Sequence, residues 1–416
     1  MDSFDAELQQ RLNVIREQGL RRELRRVDSA QGPRIEIAGR SLLNFSSNDY
    51  LGLANHPALK QAAMRAIEEF GAGAGASRLI CGSLAPFHEL EETLAAFKGT
   101  EAALTFSTGY AAALGTITAL LGKDDLIITD KLIHASIVDA ARLSGAKLRI
   151  FTHNDLNDLE DILKWAAKTR NSEPRTQNKK PNTLIVTESV FSMDGDLAPL
   201  REIVRLKEQY GAWLMVDEAH ATGIYGVQRR GLVEELGVSD QIEIQMGTLG
   251  KALGASGGYI CGSRALIDFL INRARSFIFS TAPVPAAAAA ATAGAHLVQS
   301  AEGEKLNEQL WRHVQLAGDG VKCLKFSSPE SQRLLTSSPA NNNSAIIPLI
   351  VGDETKAVET ASALRERGVF VPAIRYPTVA RGTARLRITL TAAHAEADIE
   401  TLTDALQITH HASRIT

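Results

Sequence analysis

Short apolar runs alternating with helical stretches predict an α/β fold: a mostly parallel central sheet flanked by helices, followed by a smaller α+β C-terminal domain. Three observations carry this prediction. Apolar runs recur at 102–106, 126–129, 147–151, 183–187, 212–216, 242–246 and 258–261. Helical patterns stand before and between them, at 57–70, 85–97 and 111–121. Runs such as Leu184-Ile185-Val186 are apolar without alternation, as strands buried on both faces of a parallel sheet should be. At 416 residues the chain is too long for one ordinary core. The pattern divides it into an N-terminal helix with short strands over 1–45, a large domain over 46–294 and a small domain over 295–416.

In chain order, residues 1 to about 28 read as one amphipathic helix, with Arg21, Arg22, Arg25 and Arg26 near an end where cations suit the dipole. Short strands follow at 34–37 and 42–45, around Gly39. Residues 171–182 are polar, basic and punctuated by proline, which predicts an exposed loop. The alanine run 286–291 comes after Pro283 and Pro285 and should open a helix, because alanine favours the helix interior and proline its first turn. In the small domain 344–350 and 384–390 read as strands, 357–367 and 395–406 as helices, and 341–343 as a turn.

Composition narrows the function classes. A 44% hydrophobic and 22% charged content is that of a globular protein, and a net charge of −3 gives no reason to expect nucleic acid or an anionic membrane surface as partner. No apolar run approaches the roughly eighteen residues of a transmembrane helix. The N-terminal stretch is charged and lacks the apolar segment of a signal peptide. Cys81, Cys261 and Cys323 are scattered and odd in number, as in a reduced, cytoplasmic enzyme.

Chemistry concentrates where apolar runs end. Lys251 stands among glycines, a threonine and small apolar residues in Gly247-Thr248-Leu249-Gly250-Lys251-Ala252-Leu253-Gly254. An amine in a close-packed turn loses hydration, which favours its neutral, nucleophilic form; alone, Lys251 reads more readily as a solvated surface lysine. The run ending near Val216 leads into Asp217-Glu218-Ala219-His220. Ser107-Thr108-Gly109-Tyr110-Ala111 links a strand to a helix N-terminus, a turn suited to an anion. His134 and Ser192 each follow another strand. Ligands collect along the carboxyl ends of parallel strands. The set offers an anion cradle, a flat ring, an acid and an amine, and those are the needs of pyridoxal phosphate, which bonds a lysine and has its ring nitrogen held by a carboxylate. Other readings are weaker. Asp217 and His220 lack a third metal ligand at short spacing. Gly71-Ala72-Gly73-Ala74-Gly75-Ala76 fails a dinucleotide fingerprint at its sixth position, and Gly250-Lys251-Ala252 lacks the Ser or Thr of a P-loop.

Longer motifs carry a resemblance. Asn44-Phe45-Ser46-Ser47-Asn48-Asp49-Tyr50-Leu51-Gly52-Leu53, Ser192-Met193-Asp194-Gly195-Asp196, Asp217-Glu218-Ala219-His220-Ala221-Thr222-Gly223 and the loop from Thr248 to Lys251 resemble the α-oxoamine synthases. These are fold-type-I pyridoxal phosphate transferases, and the likeness covers nearly the whole chain. The runs Pro372-Ala373-Ile374-Arg375-Tyr376-Pro377-Thr378-Val379 and Gly382-Thr383-Ala384-Arg385-Leu386-Arg387-Ile388-Thr389-Leu390 look like the member that joins L-alanine to a pimeloyl thioester on coenzyme A or an acyl carrier protein. The resemblance implies that Lys251 bonds the cofactor, Asp217 pairs with its ring nitrogen, His220 with its ring hydroxyl, and that His134 stacks on the ring. It implies contacts from Gly109, Tyr110, Ser192 and Thr248, and substrate contacts from Asn48, Arg375 and Thr378. It further implies a homodimer in which Ser280 and Thr281 reach the neighbouring subunit's phosphate. The family's N-terminal arginine falls within Arg21 to Arg26, where the alignment is not unique, and Arg22 is expected to take its place. A sister synthase using glycine or serine with another acyl-CoA shares the cofactor residues, and an aminotransferase would instead show half-reactions with keto acids and need no thioester.

Overall fold

The computed structural model describes residues 3–172, 181–322 and 343–412. The strands are β1 (Arg34–Ile37), β2 (Arg40–Asn44), β3 (Ala102–Phe106), β4 (Leu126–Asp130), β5 (Lys147–Phe151), β6 (Thr183–Glu188), β7 (Trp213–Asp217), β8 (Ile244–Thr248), β9 (Gly258–Gly262), β10 (Ile346–Gly352), β11 (Val369–Phe370), β12 (Ala373–Ile374) and β13 (Ala384–Thr389). The chain forms two compact units: residues 51–192 with 196–307, and residues 1–50 with 193–195 and 308–416.

The larger unit carries a seven-stranded sheet of order β3-β9-β8-β7-β6-β4-β5. β5, β4, β6, β7 and β8 run parallel, while β9 is antiparallel to both β8 and β3. β3 therefore points the same way as the parallel set. The mostly parallel sheet is as the apolar runs predict. β3, β4, β6 and β9 are buried at every residue, and the core gathers Leu104, Ile127, Val186, Met215 and Ile260 against Ile117 and Ile137 of the flanking helices. The alanine run lies in the helix Pro285–Gln299, which has proline in its first turn as expected.

The smaller unit holds two three-stranded sheets, β1-β2-β11 and β10-β13-β12. β10 and β13 pair antiparallel, with Leu349 opposite Leu386.

Three expectations need correction. The first helix runs only from Ser3 to Glu17. Gly19 takes φ +67°, its N–H bonds Arg16 O at 2.9 Å, and the Leu20 N–H reaches back to Ile15 O at 3.0 Å. That left-handed cap ends the helix before the arginines, so they do not serve its dipole. The helix expected from 111 opens at Gly109, because the Thr108 hydroxyl caps it by accepting the Ala111 N–H. The loop expected from 171 starts later, since the helix Leu156–Ser172 continues through Ser172; residues 173–180 of that expected loop lie outside the described residues, as do 341 and 342 of the expected turn and Cys323.

Candidate active site

In the larger unit the carboxyl ends of β3, β4, β6, β7 and β8 share one edge, and the residues singled out in the sequence follow them. Asp217 closes β7 and Thr248 closes β8. His134 stands four residues beyond β4, Ser192 four beyond β6, and Lys251 three beyond Thr248.

Lys251 is half-buried, and its Nζ lies 2.7 Å from Nε2 of the buried His220. Asp217 is buried and one carboxylate oxygen accepts the Ala219 N–H at 2.9 Å, which fixes the turn between the acid and His220. His134 caps the helix Ala135–Ser144, its Nδ1 accepting the Ser136 N–H at 3.2 Å. The His134 side chain is open at the surface, yet surrounding protein strips enough water from the ring to lower its pKa; Asp217 opposes that shift and Lys251 adds to it. A neutral imidazole follows from that balance at neutral pH.

One site residue was not singled out from the sequence. Glu188 closes β6 directly opposite Asp217 in the register of β6 and β7. It is buried and accepts the Ser192 N–H at 3.1 Å through Oε2. Desolvation first, then the Asp217 charge, push its pKa up to about 8. In sequence it looks like a charged strand end, usually solvated; only the pairing with Asp217 shows otherwise.

The helix that Gly109 opens begins at the turn expected to suit an anion. First-turn N–H groups such as those of Gly109 and Tyr110 have no intrahelical acceptor and point outward with the positive end of the dipole. The turn sits hard against β9: a Cβ on Gly258 would come within 2.5 Å of the Gly109 backbone. Thr248 is beside it, with its hydroxyl donating to Gly257 O at 3.0 Å and accepting the Gly250 N–H at 3.2 Å, which shapes the Lys251 loop. The Tyr110 hydroxyl donates to Asp139 at 2.7 Å. Ser280 is half-buried; Thr281 is exposed and bridges to Ser77.

In the smaller unit the residues expected at substrate form their own group. Arg375 Nη2 donates to Arg21 O at 2.7 Å, and Arg22 Nη2 lies 3.4 Å from the Thr378 hydroxyl. Burial lowers the Arg375 pKa, and Arg22 and Arg25 lower it further, so cationic groups crowd together. Asn48 accepts from Arg387 of β13 at 3.0 Å, which makes Arg387 the residue that fixes the Asn48 amide.

The larger unit thus brings together Lys251, His220, Asp217, His134, Ser192, Thr248, Gly109 and Tyr110, and the smaller one Arg22, Arg375 and Thr378, with Asn48 held by Arg387. The larger set suits pyridoxal phosphate: an amine for its aldehyde, a buried carboxylate for its ring nitrogen, and a helix N-terminus for its phosphate. Among the described residues no three His, Cys, Asp or Glu side chains group as metal ligands.

Comparisons with known proteins agree with this chemistry. The family model for aminotransferase class I and II matches residues 40–406. The chain is 48% identical to an 8-amino-7-oxononanoate synthase of Geobacter sulfurreducens, over 96% of this chain and 95% of the relative. It is 42% identical to one of Thermoanaerobacter pseudethanolicus, over 96% and 95%. Among solved structures, a serine palmitoyltransferase from S. paucimobilis with PLP and myriocin superposes with a TM-score of 0.88 at 29% identity, covering 100% of both chains. An 8-amino-7-oxononanoate synthase from Francisella tularensis gives a TM-score of 0.71 at 27% identity, over 90% of this chain and 98% of that one.

Proposed function

Since the chain belongs to the class I and II aminotransferase family, and within it to the pyridoxal phosphate-dependent 8-amino-7-oxononanoate synthases, we propose that it condenses L-alanine with a pimeloyl thioester in biotin biosynthesis. A carbon–carbon bond forms between the alanine Cα and the thioester carbonyl. The bond from Cα to the alanine carboxylate breaks, and carbon dioxide and the thiol carrier leave with the amino ketone. The observation that carries the reading is the 2.7 Å pairing of Lys251 with His220 beside Asp217 and His134.

Pyridoxal phosphate, when bound, supplies an electron sink for charge at the amino acid's Cα. Lys251 Nζ is the base for the Cα proton, and His220 is placed to exchange a hydrogen bond with it. Asp217 provides the buried negative charge for a cationic ring nitrogen. A neutral His134 offers a flat face and an N–H for oxyanion charge without adding a cation of its own. Gly109 and Tyr110 offer N–H groups to a phosphate, with Ser192 and Thr248 beside the cofactor. Arg375 is suited to the alanine carboxylate, since a guanidinium makes paired hydrogen bonds to it, and Asn48 and Thr378 would face substrate. Arg22 is suited to the far carboxylate of the acyl chain.

We assign the working form as a homodimer, in the cytoplasm. Leu79, Ile80, Phe279 and Val284 are all exposed large hydrophobics. They lie on two segments joined by the Ser77–Thr281 bridge and by the bond from Ala282 N to Ala76 O at 3.0 Å. A second copy covering this patch would also take Ser280 and Thr281 to its own cofactor phosphate. Among the described residues no helix is long and apolar enough to cross a membrane.

The test is product mass after incubation with L-alanine and pimeloyl, hexanoyl or acetyl thioesters, each on coenzyme A and on a carrier protein. The pimeloyl product should dominate by kcat/KM, and Arg22→Ala should weaken pimeloyl more than hexanoyl, which has no distal carboxylate. Preference for acetyl with glycine would move the protein to a sister synthase.

A further inference from the structure

One charged cluster behind the site edge has no part in the chemistry described. His153 follows β5, in a turn where Asn154 takes φ +54°. Its Nδ1 lies 2.9 Å from Asp130 Oδ1 and its Nε2 2.7 Å from Asp196 Oδ2. Asn154 repeats the link: its N–H donates to Asp130 Oδ2 at 2.9 Å and its side-chain amide to Asp196 Oδ2 at 2.9 Å and to Leu197 O at 3.2 Å. The His153 ring packs edge-on to Phe191 at 4.4 Å.

Both aspartates belong to segments that lead to site residues. Asp130 closes β4, and its Oδ1 also accepts the Leu132 N–H at 2.7 Å, which sets the turn leading to His134. Asp196 ends the segment that begins at Ser192, and its backbone O accepts the Phe191 N–H at 3.0 Å.

We propose that His153 is a positioning residue whose doubly protonated imidazole, bridging Asp130 and Asp196, holds the His134 and Ser192 loops in the arrangement that binds pyridoxal phosphate. Ionised carboxylates only accept hydrogen bonds, so an imidazole bonded to one on each side must carry a proton on both nitrogens. The electrostatics agree: burial alone lowers the His153 pKa, but the hydrogen bonds its ring donates to Asp130 and Asp196 outweigh it and raise it to about 10. Bonds of this charge-assisted kind are the stronger class.

The inference rests on the cofactor reading, and binding of pyridoxal phosphate by the wild type checks that reading separately. The test compares cofactor affinity, by fluorescence titration of cofactor-stripped protein, in wild type, His153→Gln and Leu270→Ala. Leu270→Ala opens the same unit's core and serves as the control for lost stability. His153→Gln should weaken pyridoxal phosphate binding on the order of tenfold more than Leu270→Ala does. Equal weakening in the two variants would overturn the proposal. If His153→Gln does not fold, nitrogen NMR of the wild-type imidazole decides: both ring nitrogens protonated at pH 8 supports the bridge, and a neutral ring at that pH overturns it.

Discussion

Glu188 and Asp217 end adjacent strands with both carboxyls buried, and they cannot both be charged without strain on the pair. Glu188 gives way, with a pKa of about 8 in the fold against an ordinary value of 4.5. Between those values the folded chain binds a proton that the unfolded chain has released, so stability falls as pH rises through the window. Urea unfolding of the cofactor-free protein from pH 5 to 8 should show that decline, and Glu188→Gln should flatten it; equal slopes would place the proton elsewhere. Lys251, Asp217, His134 and His220 were legible because each follows an apolar run, where a polar residue stands out. Glu188 was not, because its burial depends on a partner strand 29 residues away in sequence, at Asp217.

At the scale of elements, the turn after β7 is held from behind. Lys98 Nζ donates to Glu218 Oε2 at 2.5 Å and also to Arg230 O, with both charged side chains fully buried. Glu218 Oε1 accepts the Val233 N–H at 3.0 Å. Glu218→Ala would leave the Lys98 charge buried and uncompensated, which should destabilise the protein by about 3–5 kcal/mol. Urea unfolding at neutral pH measures it, and a loss below about 1 kcal/mol, the range of exposed pairs, would mean that the network relaxes or hydrates. The strands of the large sheet were legible from their apolar runs to within about two residues. The end of the first helix was not: the amphipathic pattern continues into the arginines, and it is the left-handed Gly19 that stops the helix.

For the whole molecule, residues 193–195 belong with the smaller unit although the chain on both sides of them belongs to the larger. Arg385 of β13 pairs with Asp194 in that smaller unit, a contact between residues 191 apart that no local pattern announces. The alternation of helices and strands made the large sheet legible, but such long-range returns were beyond it. The apolar patch of Leu79, Ile80, Phe279 and Val284 bears on assembly. Sedimentation at assay concentration should give a dimer, and Ile80→Glu with Phe279→Glu should shift it toward monomer with loss of turnover; a fully active monomer would contradict that assignment.

The most direct measurement follows carbon dioxide from carboxyl-labelled L-alanine, with and without pimeloyl thioester, in wild type and Lys251→Ala. Wild type should release one labelled carbon dioxide per amino ketone, only when the thioester is present, and Lys251→Ala should be slower by roughly 10²–10⁴-fold. Release without the thioester, amino transfer to a keto acid without release, or normal turnover in Lys251→Ala would contradict a condensing enzyme built on that lysine.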